Sequence, residues 1–235
     1  MIDSRIRAVL NFVREGSRVV DVGADHGYLA IELAKSSRAT KIIATEKNIG
    51  PFEALRKNIS AAQLDGVIDV RLGDGLQVVA AGEVDTICIA GMGGVLIEKI
   101  LDDAPEVVQS ARQLILQPMN GIKKIRTCLA EKNFAIEDED LAEASGIIYE
   151  VISAVKPLDA PKKIFKRESS PLLKKFLAQR IAKLQRVLDE MSRSEVARTS
   201  EKFSATRNEI DTLRRRCQSC GGDSYVVAAN REHVD

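Results

Sequence analysis

The chain has 235 residues, 45% of them hydrophobic and 29% charged, with a formal net charge of +1. That length carries one sizeable core, or one domain with an appendage, and the composition is that of a soluble globular protein. No apolar run approaches the roughly 20 residues of a membrane span. The N-terminal MIDSRIRAVLNFV has charges within its apolar stretch and no signal cleavage site, so a cytoplasmic protein is expected.

Apolar residues at helical spacing (Ile6, Val9, Leu10, Val13) predict a first helix over SRIRAVLNFV, capped by Asp3 or Ser4. SRVVDVG reads as a short buried strand. HGYLAIELAKSS follows as a helix with Leu29, Ile31, Leu33 and Ala34 inward, and TKIIATE as the next strand. PFEALRKNISAAQ is a helix with Pro51 in its first turn. VIDVRLGDG is a third strand ending in a glycine turn, and VDTICIAGMGG a fourth, apolar through its centre. VLIEKILDD is the helix after it, RQLILQP a fifth strand and GIKKIRTCLAEK a further helix. Strands alternating with helices in this way predict an α/β domain with a parallel sheet. The pattern then changes. FAIEDEDLAEA and GIIYEVISAVK are separated only by Ser145-Gly146, which predicts an antiparallel hairpin. Alternating units closed by a hairpin match the seven-stranded, Rossmann-like sheet of class I methyltransferases, whereas a dinucleotide dehydrogenase half continues the alternation.

Pro157, Pro161 and KKIFKRESSP mark a linker. Beyond it, Leu173, Leu177, Ile181, Leu184, Leu188 and Met191 form a helical stripe over 172–191. A second helix over about 195–216 carries Val196, Phe203, Ile210 and Leu213 on a sparser stripe. A coiled-coil-like helical hairpin is expected. The domains are thus 1–157, 158–217 and a tail, 218–235. Charge divides along similar lines. Residues 1–159 hold 18 Lys and Arg against 24 Asp and Glu, residues 160–217 hold 16 against 7, and residues 218–235 hold 1 against 3. A basic appendage on an acidic body points to a polyanionic partner such as nucleic acid, or else is a solvated helix surface. Of the four cysteines, Cys88 lies in an apolar run and reads as a buried small hydrophobe. Cys217 and Cys220 form a single C-x-x-C without the further ligands that a zinc site requires, so no metal is expected.

In an open α/β sheet, ligands bind beyond the carboxyl ends of the strands. After the first strand come Asp21, Gly23, Asp25, His26, Gly27 and Tyr28. After the second come Glu46, a carboxylate able to take both hydroxyls of a ribose, and Lys47. Asp74 and Gly75 follow the third and suit an adenine edge. Gly91, Met92 and Gly93 follow the fourth, and Gln117 the fifth. Each signal alone is weak. Together they predict an adenosine-bearing cofactor. A pyrophosphate-bearing dinucleotide favours bare glycines in G-x-G-x-x-G. Here Asp25 holds the loop centre, where it repels an anion and suits the sulfonium and ammonium of S-adenosylmethionine. An NAD(P)-dependent oxidoreductase is the alternative from another class. Tyr28 is the one aromatic at the cofactor mouth, unless it belongs to the core.

DVGADHGYL, IATEKNIGPFEALRKNI, VRLGDGL, DTICIAGMGG and LILQP, in this order and spacing, resemble the bacterial tRNA (adenine-22-N1)-methyltransferase family (TrmK family) over about residues 3–155. The resemblance implies a Rossmann-like catalytic domain, a C-terminal coiled-coil domain, and methyl transfer from S-adenosylmethionine to N1 of adenine 22 of tRNA, another RNA being the alternative substrate. No strict general base is implied. Asp25 is placed to stabilise the cationic product, and His26 either to orient Asp25, to contact the base or to bond at the helix start. The family pattern is L-I-L-Q-P-N. Here Met119 intervenes, and Asn120 is expected one position out of that register. Gln117 and Asn120 are candidate base contacts. Lys162, Lys163, Lys166, Arg167, Lys174, Lys175 and Arg214 to Arg216 are candidate phosphate contacts. A monomer acting on tRNA, with neither membrane nor metal, is the expected form.

Overall fold

In the structure, a computed structural model that describes residues 2–157 and 166–219, the chain divides into two compact units, Met1–Ser170 and Pro171–Asp235. In the first, a seven-stranded sheet has the order β3-β2-β1-β4-β5-β7-β6. Its strands are β1 (Ser17–Val22), β2 (Ala39–Glu46), β3 (Ile68–Leu72), β4 (Thr86–Gly93), β5 (Gln113–Asn120), β6 (Ala135–Ala144) and β7 (Ile147–Val155). β1 to β5 pair in parallel, while β7 runs antiparallel to both β5 and β6. The alternating units and the closing hairpin read from the sequence are therefore present.

Alternation along the strands sends side chains to two cores. On one face Val20, Val22, Ile87, Ile89, Leu114 and Leu116 meet α4 (Gly94–Asp102), α5 (Pro105–Ser110) and α6 (Ile122–Glu131). On the other, Val19, Ile42, Ala44, Cys88 and Ile115 meet α1 (Ser4–Phe12), α2 (Tyr28–Lys35) and α3 (Ile49–Ala61). Asp3 caps α1, its carboxylate accepting from the Arg5 N–H at 2.8 Å. The short α5, absent from the sequence reading, opens on Pro105 in the favoured first-turn position.

Two stretches depart from expectation. KRES, read as linker, forms α7 (Lys166–Ser169) and belongs to the first unit. The reason is electrostatic. Arg167 donates to Glu150 at 2.7 Å and lies 3.3 Å from Glu139, while Arg126 of α6 pairs with the same Glu139. Two largely buried glutamates on β6 and β7 thus hold α7 against the sheet, so the units divide after Ser170, not at 157. In the second unit, α8 (Leu173–Met191) packs on α10 (Glu201–Ser219) through Leu173, Leu177, Phe203, Ile210 and Leu213. The expected second helix is broken. A short α9 (Glu195–Arg198) precedes α10, because the Ser200 hydroxyl turns back to accept from the Phe203 N–H at 3.2 Å. Val196, expected on the stripe, is 82% exposed and packs in no core.

Glu139→Ala leaves two arginines facing Glu150 alone in a low-dielectric setting. We expect a loss of about 3 kcal/mol in urea denaturation, and a loss below 1 kcal/mol would show that the network is not a structural clamp.

Candidate active site

β1 to β5 all run out at one edge of the sheet, and the loops leaving them are tied down by their neighbours. The Gly23 and Ala24 amides both donate to the Thr45 carbonyl, at 2.9 and 3.0 Å. Gly23 has φ +66°, a conformation that favours glycine, and a Cβ there would fall 2.2 Å from Met92 Cε and push that side-chain end aside. Asp25 is exposed at the crest with φ +50°, a left-handed conformation that is uncommon outside glycine. Gly27 is the N-cap of α2, with no side-chain cap bond, so neither Asp25 nor His26 serves as a helix cap. The His26 carbonyl accepts from Asn58 Nδ2 at 3.0 Å, which ties the crest to α3. The imidazole itself is exposed. Its Nε2 lies 3.8 Å from Asp25 Oδ2, beyond hydrogen-bond range, and its ring centroid is 5.6 Å from that of Tyr28. Tyr28 is 56% exposed, at the surface and not in the core.

Asp21 sits one layer below. Its carboxyl is buried and has no cationic partner among the described residues. Desolvation pushes its pKa up to about 7, opposed only by a hydrogen bond from the Ala30 backbone. At the end of β2, Glu46 is buried and its Oε1 accepts from the Lys47 and Asn48 amides at 2.9 and 3.0 Å. Oε2 has no partner among the described residues. Lys47 Nζ pairs with Asp74 Oδ2 at 2.6 Å and so joins the second and third strand-end loops. Gly73 donates to the Glu46 carbonyl at 2.9 Å, and the following Gly75 is buried against Ile100.

The β4 and β5 ends are built as a pair. Ala90 aligns with Gln117, Met92 with Pro118 and Gly93 with Asn120. Gly91 is thus unpaired on one strand and Met119 on the other, so that each strand carries one extra residue and the register is recovered. With Met119 in place, Asn120 pairs with Gly93. The Asn120 side chain lies against Gly93 and Gly94, with Oδ1 3.4 Å from the Gly94 N–H. Gln117, expected as a base contact, is fully buried, and its Oε1 accepts from the Gly91 N–H at 3.0 Å. It shapes the fourth loop from beneath.

The candidate phosphate contacts fare unevenly. Lys162 and Lys163 lie outside the described residues, as do Cys220 and the tail. Lys166 opens α7. Arg167 is committed to Glu139 and Glu150, which removes it from the set. Lys174 and Lys175 are exposed on α8, and Arg214 and Arg215 on α10. Among the described residues no group of three potential metal ligands occurs, and no helix is long and apolar enough to cross a membrane. The sequence reading missed Asn58 and Arg5, both of which reach the strand-end loops from distant helices. No local pattern marks either one.

Strand order, the antiparallel β7 and the acid-lined strand ends define a class I methyltransferase. Residues 2–152 match a family model described as a methyltransferase domain. A tRNA (adenine(22)-N(1))-methyltransferase of Bacillus subtilis is 37% identical over 153 residues, which is 65% of this chain and 64% of that protein, so the match spans just under two thirds of the relative's length. The crystal structure of a putative tRNA (m1A22) methyltransferase from Streptococcus pneumoniae superimposes with a TM-score of 0.79 at 30% identity, covering 92% of this chain and 99% of that one. The same protein has been crystallised in complex with S-adenosyl-L-methionine. The B. subtilis enzyme structure gives a TM-score of 0.75 at 27% identity, covering 94% and 98%. The chain belongs to the tRNA (adenine-22-N1)-methyltransferase family.

The buried Asp21 has a measurable signature. Its folded pKa of about 7 lies above the ordinary 3.8, so the folded state retains a proton that the unfolded chain has lost between these values. Stability therefore falls as pH rises through that window and levels off above it, by at most about 4 kcal/mol. Urea denaturation should find Asp21→Asn more stable than the parent at pH 8 and little different at pH 4. An equal gain at both values would show that Asp21 does not titrate there.

Proposed function

We propose that this protein transfers the methyl group of S-adenosylmethionine to N1 of adenine 22 in tRNA. The observation that carries the reading is the charge of the strand-end edge. A buried, unpaired Asp21 below and an exposed Asp25 at the loop crest stand where a dinucleotide pyrophosphate requires bare backbone. The donor set fits a cationic, adenosine-bearing cofactor. Asp21 is the counter-charge for a cationic group, and a bound cation favours its ionised form. Glu46 Oε2 is available to ribose hydroxyls, and the Lys47–Asp74 pair with Gly75 borders the adenine. Gly23, Gly27, Gly91, Met92 and Gly93 supply the close backbone approach, and Tyr28 covers the mouth.

S-adenosylmethionine supplies an electrophilic methyl group. Adenine N1 has a free lone pair, so this chain needs no side chain to remove a proton before attack. The protein's part is to align the two reactants and exclude water. Asp25 adds a negative charge near a base that becomes cationic, which lowers the energy of that charge as it develops. His26, beside Asp25 and not spent on a helix cap, orients that carboxylate or meets the base. Asn120, held against Gly93 and Gly94, stands at the border of the fourth and fifth loops as a base contact. Lys166, Lys174, Lys175 and the Arg214–Arg216 run supply phosphate contacts that carry affinity and not sequence. Lys162 and Lys163 extend that set from the preceding stretch. Position 22 is paired within folded tRNA, so the base is displaced before reaction. The reading carries with it a cytosolic monomer.

Three experiments test this. Calorimetry should detect S-adenosylmethionine binding and no NAD binding, and methylation of a tRNA transcript should be abolished by an A22→G change. NAD binding would favour the oxidoreductase, and equal methylation of both transcripts would place the reaction on another nucleotide. The third concerns Asp25. Glycine accepts φ +50° more readily than aspartate, so Asp25→Gly should keep stability within about 1 kcal/mol of the parent. We expect kcat to fall by at least tenfold all the same, because the carboxylate is lost. Unchanged kcat would make Asp25 a turn residue only.

A further inference from the structure

Most of the large apolar side chains left exposed on the first unit gather at one edge, Val67 just ahead of β3 being the exception. Tyr28 and Ile49 open α2 and α3, Leu72 ends β3, Val95 and Leu96 lie in the first turn of α4, and Met119 lies near the end of β5. All of them stand on the carboxyl edge of the parallel strands, where ligands bind in this architecture. Exposed apolar surface gathered around a polar site marks contact with something that is itself partly apolar.

Met119 differs from the rest in how it is held. It is the unpaired residue of β5, one level beyond the unpaired Gly91 of β4, with the Met92–Pro118 pair between them. Its side chain is 43% exposed, yet its sulfur sits between two donors. Arg5 Nη1 is 3.7 Å away on one side and Gln117 Nε2 is 3.8 Å away on the other. Both donors are themselves fixed. Arg5 donates to Asp3 at 3.0 Å through Nη2 and lies 5.2 Å from the centre of the Tyr149 ring. The Gln117 amide is buried and holds the Gly91 N–H through its other end. A methionine free in solvent samples many rotamers, but this one is braced from behind with its thioether beside the fourth loop. Gly91, at φ +77°, faces open space, with no atom within 4 Å of where a Cβ would lie. The two bulges thus produce a bare backbone surface with a polarisable apolar wall beside it, which suits a flat aromatic group.

We infer that Met119 is the wall against which the displaced target adenine packs. This rests on the proposed tRNA reading and adds to it the residue that receives the base. Sulfur–aromatic contact retains the base in its extruded position, and the braced thioether sets the plane in which N1 is offered. Arg5 and Gln117 act through Met119 as positioning residues.

The test uses the full chain and a tRNA transcript carrying 2-aminopurine at position 22, whose fluorescence rises when the base leaves its stack. Parent protein should raise the signal. Met119→Ala should lose most of the rise and lower kcat/KM for unmodified tRNA about three- to tenfold. KM for S-adenosylmethionine should stay unchanged, and Met119→Leu should restore most of both readouts. A mere bulge filler would alter stability and leave the fluorescence alone. If Met119→Ala compromises folding, Met119→Gln keeps the chain length while replacing the thioether with a polar tip, and should show the same losses. Parent-like fluorescence and kcat/KM in a folded Met119→Ala or Met119→Gln would overturn the inference. Failure of the parent itself to methylate adenine 22 is a separate result, and it would overturn the functional reading along with this one.

Discussion

The sheet is buried on both faces, and most of the molecule follows from that. Ile87, Cys88 and Ile89 at the centre of β4 have no exposure at all, and their neighbours on β1 and β5 are buried too. Between two helical layers there is no room for a polar ligand. Water and ligand meet the sheet only where strands stop, and there each departing loop carries amides that the ladder no longer satisfies. The structure satisfies them from the next strand over. The Thr45 carbonyl takes Gly23 and Ala24, the Glu46 carbonyl takes Gly73, and the Gln117 side chain takes Gly91. The loops are therefore held from beneath, and their upper surfaces are left for other partners.

The strand ends are acidic. Asp21 and Glu46 lie buried in β1 and β2, and Asp25 and Asp74 lie in the loops beyond β1 and β3, with Lys47 drawn onto Asp74. Asp21 is the costly member, since burial without a cation opposes its ionisation. A purely structural position of this kind accepts asparagine or an apolar residue with a gain in stability. In the proposed reading a cationic ligand is the partner that makes the carboxylate favourable, which is why the charge of this edge bears on the cofactor more than its glycines do.

A second group of charges does a different task. Glu139 and Glu150, on β6 and β7, are balanced by Arg126 and Arg167. Buried ion pairs add little net stability compared with apolar packing, and their best-attested use is to specify an arrangement. Here the arrangement is the place where α7 lies on the sheet, and with it the point at which the chain leaves for the helical unit. Arg167 looked like one more basic residue in a basic stretch. Its partners are 17 and 28 positions back along the chain, so only the folded hairpin brings them within reach.

The sequence by itself determined the alternating α/β order, the closing hairpin, the strand-end acids and glycines, and the family. These are local signals. Apolar periodicity separates strand from helix within a few residues, and a loop directly after a strand inherits its place from the strand. What the tertiary structure alone decided are matters of who meets whom. Gln117 stands near the end of its strand as a ligand-facing residue does, yet it lies within β5 and packing turns it inward onto Gly91. Met119 looked like a shift of register, but the unpaired Gly91 on β4 offsets it within that ladder, and pairing between strands is invisible along one of them. His26 stood equally well as a helix-start residue until Gly27 proved to be the cap. The reason is the same in each case. Periodicity and turn chemistry act over three or four residues, whereas hydrogen bonds and ion pairs join groups whose separation in sequence carries no mark of their contact.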